Sequence, residues 1–283
     1  MHPLPSRATL RAPVRLRDIG VRFGREVELT LAPAEIGAGL TIGRSDLGLA
    51  WPLNRDHCAA GQGCSISGEG EATVYFIEHV LAALAGCLIS DCAVSLDGPE
   101  VPLFDGSTLP LVEAIADAGV ARSSQPWPPV VVTDPILVPD VAAALCALPG
   151  EAELTYALAY DHPMIGRELA SFRPGTDDFA TELAPARTFI MVQEAEAARA
   201  AGLLAAGSEE NSVVVYPDHL SEEPALPQAF ARHKLVDMIG DLFVLGRPVL
   251  GRVLGFYTGH RHNHELARRL AGGSSLPTDT SGG

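Results

Sequence analysis

The sequence predicts an α+β protein built from two similar βα layered domains packed face to face, with the active site in the cleft between them. Three observations carry this expectation. In each half, short alternating apolar runs come before segments of helical period, the order expected of a sheet covered by helices. Between the halves, Ala121-Arg-Ser-Ser-Gln-Pro-Trp-Pro-Pro129 is polar and proline-rich, as a linker is. Finally, Ala231-Arg-His-Lys-Leu-Val-Asp-Met-Ile-Gly-Asp241 separates chemistry from core. At about 100° per residue, Asp237 and Asp241 fall roughly 40° and 80° round from His233. Leu235, Met238, Ile239 and Leu242 fall on the far side.

Taken in order, residues 8–32 alternate around a glycine-containing turn and are expected to form a hairpin, with 26–32 its clearest strand. Residues 33–70 are rich in Gly, Pro, Asp and Ser and read as an irregular insertion. Val74, Ile77, Leu81 and Leu84 recur at three- and four-residue steps, predicting a helix over 71–86 with Glu78 and His79 in its middle. A buried strand follows at 92–96, a turn at Asp97-Gly-Pro99, and a helix over 109–119 with Ser107 as its N-cap. The second half repeats the plan: strands at 130–138 and 153–160, a helix at 193–201, a strand at 212–216, a helix at 228–245, a strand at 249–257 and a last helical stretch from His260. The expected domains are therefore 1–124 and 125–271. The tail 272–283 has too little apolar content to order itself and is expected to be disordered.

A net charge of -15, with no cluster of Lys and Arg, excludes a nucleic-acid surface. Five cysteines, an odd number with no C-x-x-C pair, fit a reducing compartment better than a disulfide framework. No stretch approaches the ~20 apolar residues of a membrane span, and Met-His-Pro-Leu-Pro opens no signal-like run. A cytoplasmic, monomeric protein without stable membrane insertion is expected.

Glu78-His79 sets a potential base beside a potential metal ligand. Joined to His233 and Asp237, His79 completes a two-histidine, one-carboxylate set with a free coordination position, as catalytic zinc sites have. One Zn²⁺ is expected, with iron the other cation this set accepts. His260 follows Gly259 at the end of a strand, where it can serve as the acid that protonates a leaving amine. A carboxylate such as Asp241 within hydrogen-bonding reach would keep it charged. His262 and His264 read as a surface patch.

The residues Glu78-His79 with Leu81-Ala-Ala-Leu-Ala-Gly86, Pro99-Glu-Val-Pro-Leu-Phe-Asp-Gly-Ser107, Ala186-Arg-Thr-Phe189, Arg232-His-Lys-Leu-Val-Asp-Met-Ile-Gly-Asp-Leu242 and Thr258-Gly-His260 resemble those of the UDP-3-O-acyl-N-acetylglucosamine deacetylases, zinc amidases of lipid A synthesis. The likeness runs in family order from about Thr9 to Leu270. It implies insertions at about 39–66, a small sheet, and at about 195–218, a β-α-β element forming an acyl-chain passage that includes Leu203. By position it implies His79, His233 and Asp237 as zinc ligands, Glu78 as base, and His260 as acid oriented by Asp241. Thr188 would donate to the oxyanion, Phe189 and Tyr160 would flank sugar and nucleotide, and Lys234 would face the diphosphate of an acylated UDP-amino-sugar.

Several positions depart from that pattern. The family's Gly-Leu-His-Ser/Thr-Gly turn reads Val21-Arg-Phe-Gly24, placing Arg22 where a histidine is usual, and Tyr257 stands where a lysine is common. Weaker reliance on the nucleotide is the expectation. Cys64 lies in the first insertion in loosely matching surroundings. A deacetylase acting on another acylated amino sugar, or a non-catalytic homologue, are the competing functions. The complete set Glu78, His79, His233, Asp237 and His260 argues against the second, since a binding module needs neither acid nor base.

Overall fold

The computed structural model describes residues 5–61, 63–68 and 72–272. Two five-stranded sheets organise it, one in each half. The first runs Val14–Ile19, Glu26–Pro33, Cys92–Leu96, Leu40–Arg44, Leu49–Pro52; the second runs Ile136–Pro139, Ala144–Leu148, Arg252–Phe256, Glu153–Ala159, Arg167–Phe172. Pairing is antiparallel at every junction of both sheets except the third, which is parallel in each. The two halves therefore share one topology. Alternation explains which face each strand buries: Val27, Leu29 and Leu31 are buried, while Glu28 and Thr30 between them are only half-buried.

Helix α1 spans Glu78–Gly86, α2 Leu109–Ala118, α3 Phe179–Glu182, α4 Val192–Ala200, α5 Ala229–Leu242 and α6 His260–Gly272. α5 packs on the strands Glu153–Ala159 and Arg167–Phe172, α6 on Ile136–Pro139 and Ala144–Leu148, and α2 on Val14–Ile19. α1 packs against α5, which joins the halves. That contact depends on a glycine. A Cβ on Gly240 would stand 2.1 Å from the Glu78 carbonyl oxygen, so only glycine lets the two site-bearing helices approach this closely. Gly240→Ala is expected to cost about 3 kcal/mol, because the clash is with backbone and cannot relax by rotamer change. An unchanged denaturation midpoint in that variant would show that the helices can separate freely.

Several expectations are corrected. Helix α1 begins at Glu78 instead of residue 71, because Thr73–Tyr75 is a strand and Phe76 takes a left-handed φ of 60° that no helix passes through. Glu78 and His79 thus lie in its first turn. The insertion is not irregular over 33–70, nor does a separate sheet span 39–66: Leu40–Arg44 and Leu49–Pro52 belong to the first main sheet, and the small sheet is Cys58–Ala60, Cys64–Ser67 and Thr73–Tyr75. The linker over 121–129 is largely an edge strand, Val120–Pro126, paired with Ser6–Leu10, so the boundary at 124/125 cuts through a strand. Pro126 ends it, where a missing N–H costs nothing. The hairpin is Val14–Ile19 with Glu26–Pro33 alone.

In the second half, the strand expected over 130–138 divides into Val130–Val131, parallel to Val249–Leu250, and Ile136–Pro139. The strands Ala144–Leu148 and Arg167–Phe172 were not legible. The first is apolar on both faces, which removes the alternation. The β-α-β element is Phe189–Met191, α4 and Val213–Val215 with parallel strands, so it starts before residue 195. Ser107 gives its hydroxyl oxygen to the N–H of Leu109 at 3.1 Å, although the helix cap itself is Thr108. Of the expected tail, Gly272 ends α6 and 273–283 lie outside the described residues.

Candidate active site

The first turn of α1 and the middle of α5 meet at His79, His233 and Asp237, whose ligand atoms all lie within 4.8 Å of one another. His233 Nε2 is 3.4 Å and His79 Nε2 3.9 Å from Asp237 Oδ1. All three are buried. His233 Nδ1 lies 3.3 Å from the Ala186 carbonyl oxygen; with the proton there, Nε2 presents its lone pair to the site. Burial pulls His79 below the usual imidazole range and His233 down to about 3, so both rings are neutral. Burial pushes Asp237 up, but the Lys234 ammonium, 3.0 Å away, holds it well below the carboxylate range. Two neutral imidazoles and a carboxylate converging at one buried point are the donor chemistry of a divalent cation.

The N-terminus of α5, which aims these residues, is anchored by Glu168 of the second sheet, whose carboxylate accepts the N–H of Ala231 at 2.8 Å. A carboxylate there also meets the positive end of the helix dipole.

Glu78 is buried, and its Oε2 accepts the N–H of Cys64 at 2.9 Å. Gly63 leaves room for the other oxygen, since a Cβ there would lie 2.5 Å from Oε1. Burial pushes Glu78 up to about 7, with His260 pulling it down and Asp241 and Asp237 pushing it further up. His260 shows the opposite balance. Burial pulls it down, but Asp241 Oδ2, 2.8 Å from Nδ1, outweighs that and raises it to about 10. Near neutral pH the site therefore holds an imidazolium and a carboxyl group poised between its two forms.

Glu78, His79, Thr188, Phe189, Lys234 and His260 line one cavity of ≈ 350 Å³. Its apolar arm is made by Val21, Leu103, Ile190, Ala198, Leu204 and Val214. Thr188 is fixed by its N–H bond to the Gly106 carbonyl oxygen at 2.7 Å. Gly106 has φ 88°, and a Cβ on it would meet the Asn211 carbonyl oxygen at 2.4 Å, which accounts for the glycine in Asp105-Gly-Ser107. Phe189 packs edge-on against Phe230 and His233, with Lys234 Nζ 5.4 Å above its ring. Tyr160 does not line the cavity but stands behind Phe189, in contact with Tyr257 at 5.2 Å between ring centres. Leu203 lies outside the lining and its neighbour Leu204 takes that place, because the loop after α4 turns Leu204 inward. Arg22 sits over the Tyr75 ring at 4.6 Å.

The surface patch expected of His262 and His264 is corrected. His262 is half-buried and bonded to Asp140 at 2.9 Å, and His264 is buried with Nε2 3.3 Å from Asp241 Oδ1. Asn263 Nδ2 donates to Asp241 Oδ2 at 2.8 Å. Sequence reasoning missed Asn263 and His264, although their i+3 and i+4 spacing from His260 marks a shared helix face. Among the described residues, no helix is long and apolar enough to cross a membrane.

Comparison with known proteins follows the same residues. The family model described as UDP-3-O-acyl N-acetylglycosamine deacetylase matches residues 7–272. A UDP-3-O-acyl-N-acetylglucosamine deacetylase of Leptospira biflexa is 34% identical over 273 residues, covering 95% of this chain and 90% of the relative. Enzymes of the same name from Anaeromyxobacter dehalogenans and Phenylobacterium zucineum are each 35% identical, covering 93% of this chain and 86% and 92% of theirs. A match spanning both sheets, both site-bearing helices and the acidic and basic groups between them shows that the chain belongs to the UDP-3-O-acyl-N-acetylglycosamine deacetylase family.

Proposed function

We propose that this chain hydrolyses the N-acetyl group of UDP-3-O-acyl-N-acetylglucosamine, giving the free amine and acetate in lipid A biosynthesis. The observation that carries the proposal is the meeting of Glu78, His79, His233, Asp237 and His260 around one cavity with an apolar arm. A divalent cation held by His79, His233 and Asp237, zinc or iron, would supply a Lewis acid that polarises the acetamide carbonyl and acidifies a water. Glu78 takes the proton of the attacking water. The Thr188 hydroxyl donates to the oxyanion that develops on the carbonyl oxygen. His260, held as an imidazolium by Asp241, delivers a proton to the departing nitrogen, so that the amine leaves neutral. Lys234 and Phe189 meet the diphosphate and sugar, and Tyr160 backs them. Tyr257 offers ring stacking and no charge, so the nucleotide contributes modestly. Five cysteines, an odd number with no C-x-x-C pair, are in keeping with a cytoplasmic site of action.

The rate is expected to follow a bell in pH. It rises as Glu78 loses its proton, near about 7, and falls as His260 loses its own, near about 10. A bound cation favours the deprotonated form of both groups and moves both limbs to lower pH. A rate that stays flat from about pH 5 to 8 would remove Glu78 from the base role.

The apolar arm gives a second expectation. Each acyl methylene buried there contributes about 0.8 kcal/mol, or about fourfold in kcat/KM, until the arm is filled. Equal kcat/KM for short and long acyl chains would mean that the arm does not hold the chain.

The proposal is tested by acetate release from UDP-3-O-acyl-N-acetylglucosamine, compared with UDP-N-acetylglucosamine. Release from the acylated sugar with little from the other supports it. No release, or equal release, overturns it.

A further inference from the structure

We propose that His264 is a positioning residue for His260: its Nε2–H donates to Asp241 Oδ1, so that α6 grips both oxygens of that carboxylate. The inference rests on the reading of His260 as the acid. Asp241 is fully buried in α5, and its Oδ2 accepts from His260 Nδ1 and from Asn263 Nδ2, each at 2.8 Å. Its Oδ1 is buried with no hydrogen-bond partner among the described residues. The same is true of His264 Nε2, and the two atoms are 3.3 Å apart.

Two buried, unsatisfied polar atoms facing each other are matched when the imidazole carries its proton on Nε2, and a small rotation of the ring then closes the bond. His260, Asn263 and His264 stand at i, i+3 and i+4, which brings all three to one face of α6 and onto one carboxylate. A carboxylate held by one oxygen can still turn about its last bond and carry His260 with it. Held by both oxygens, it fixes the ring whose other nitrogen must meet the substrate.

The ligand atoms of Cys64, Asp241 and His264 lie within 4.8 Å of one another. These three could alternatively take a cation. That arrangement needs His264 Nε2 without a proton, so the state of one atom separates the two.

The experiment uses the full chain loaded with zinc and labelled with ¹⁵N at histidine. The expected result is a His264 ring protonated on Nε2, exchanging slowly with solvent and unaffected by Cys64→Ser. An unprotonated Nε2 overturns the proposal, as does a second equivalent of tightly bound zinc that Cys64→Ser removes. Because neither reading uses turnover, failure of the substrate assignment leaves this test intact. In turnover, His264→Leu is expected to lower kcat about tenfold with KM within about twofold, the pattern of a misplaced catalytic group. His264→Gln, which restores a side-chain N–H donor, is expected to recover most of that loss. Full kcat in His264→Leu would also overturn the proposal.

Discussion

Glu78→Ala and His260→Ala are each expected to lower kcat by about 10²-fold or more while the protein keeps its metal. Neither side chain is among the three that converge on the cation position, so removing either leaves those donors in place. The loss falls on kcat and kcat/KM together, since proton transfers are made in the transition state and not in the ground state. The environments argue for opposite roles. Glu78 is raised to about 7 by burial and is available as a base near neutral pH, whereas His260 is raised to about 10 by Asp241 and remains an acid. Glu78→Gln keeps the shape and tests the base directly, because the amide cannot take a proton. Near-normal turnover in either alanine variant would remove that residue from the mechanism.

His79→Ala and Asp237→Ala are expected to lose the metal itself, and with it nearly all turnover. Either change leaves two protein donors, too few for a tight site with an open position. Asp237→Ala has a second effect. It strips the partly buried Lys234 ammonium of its 3.0 Å carboxylate partner and leaves a cation beside two imidazoles, which repels a metal ion. Asp237→Asn, with the same shape and no charge, is expected to bind metal more weakly than the parent but better than Asp237→Ala. Full metal content in both alanine variants, read by elemental analysis, would show that the ligands lie elsewhere.

Much of this site was legible because helix geometry is local. Once His233, Asp237 and Asp241 are placed on an α-helix, their common face follows from the rise and turn per residue, and the structure gathers them as that geometry requires. Pairing with Glu78-His79 came from donor chemistry, a two-histidine, one-carboxylate set, and from resemblance. What brings α1 to α5 is the absence of a side chain at Gly240, and spacing alone does not reveal an approach between distant segments.

The strands were harder to read. Leu40–Arg44, Leu49–Pro52 and Ala144–Leu148 are short, and the first and last are placed in their sheets by Cys92–Leu96 and Arg252–Phe256, far along the chain. The start of α1 was missed because Phe76, a residue with no special turn preference, takes a left-handed backbone. His264 was misread because a histidine-rich run resembles a solvated patch. Its burial is set by the small sheet that α6 packs against. Leu203 and Leu204 differ by one position, and only the loop's course decides which faces the cavity.

Acetate release is expected to need one cation, held by His79, His233 and Asp237. The direct measurement removes metal with a chelator, then follows acetate release from UDP-3-O-acyl-N-acetylglucosamine as Zn²⁺ is added back. The expected result is no release from the metal-free protein and full recovery at about one equivalent per chain, with no recovery in His79→Ala. Full-rate release from protein shown to be metal-free would contradict it.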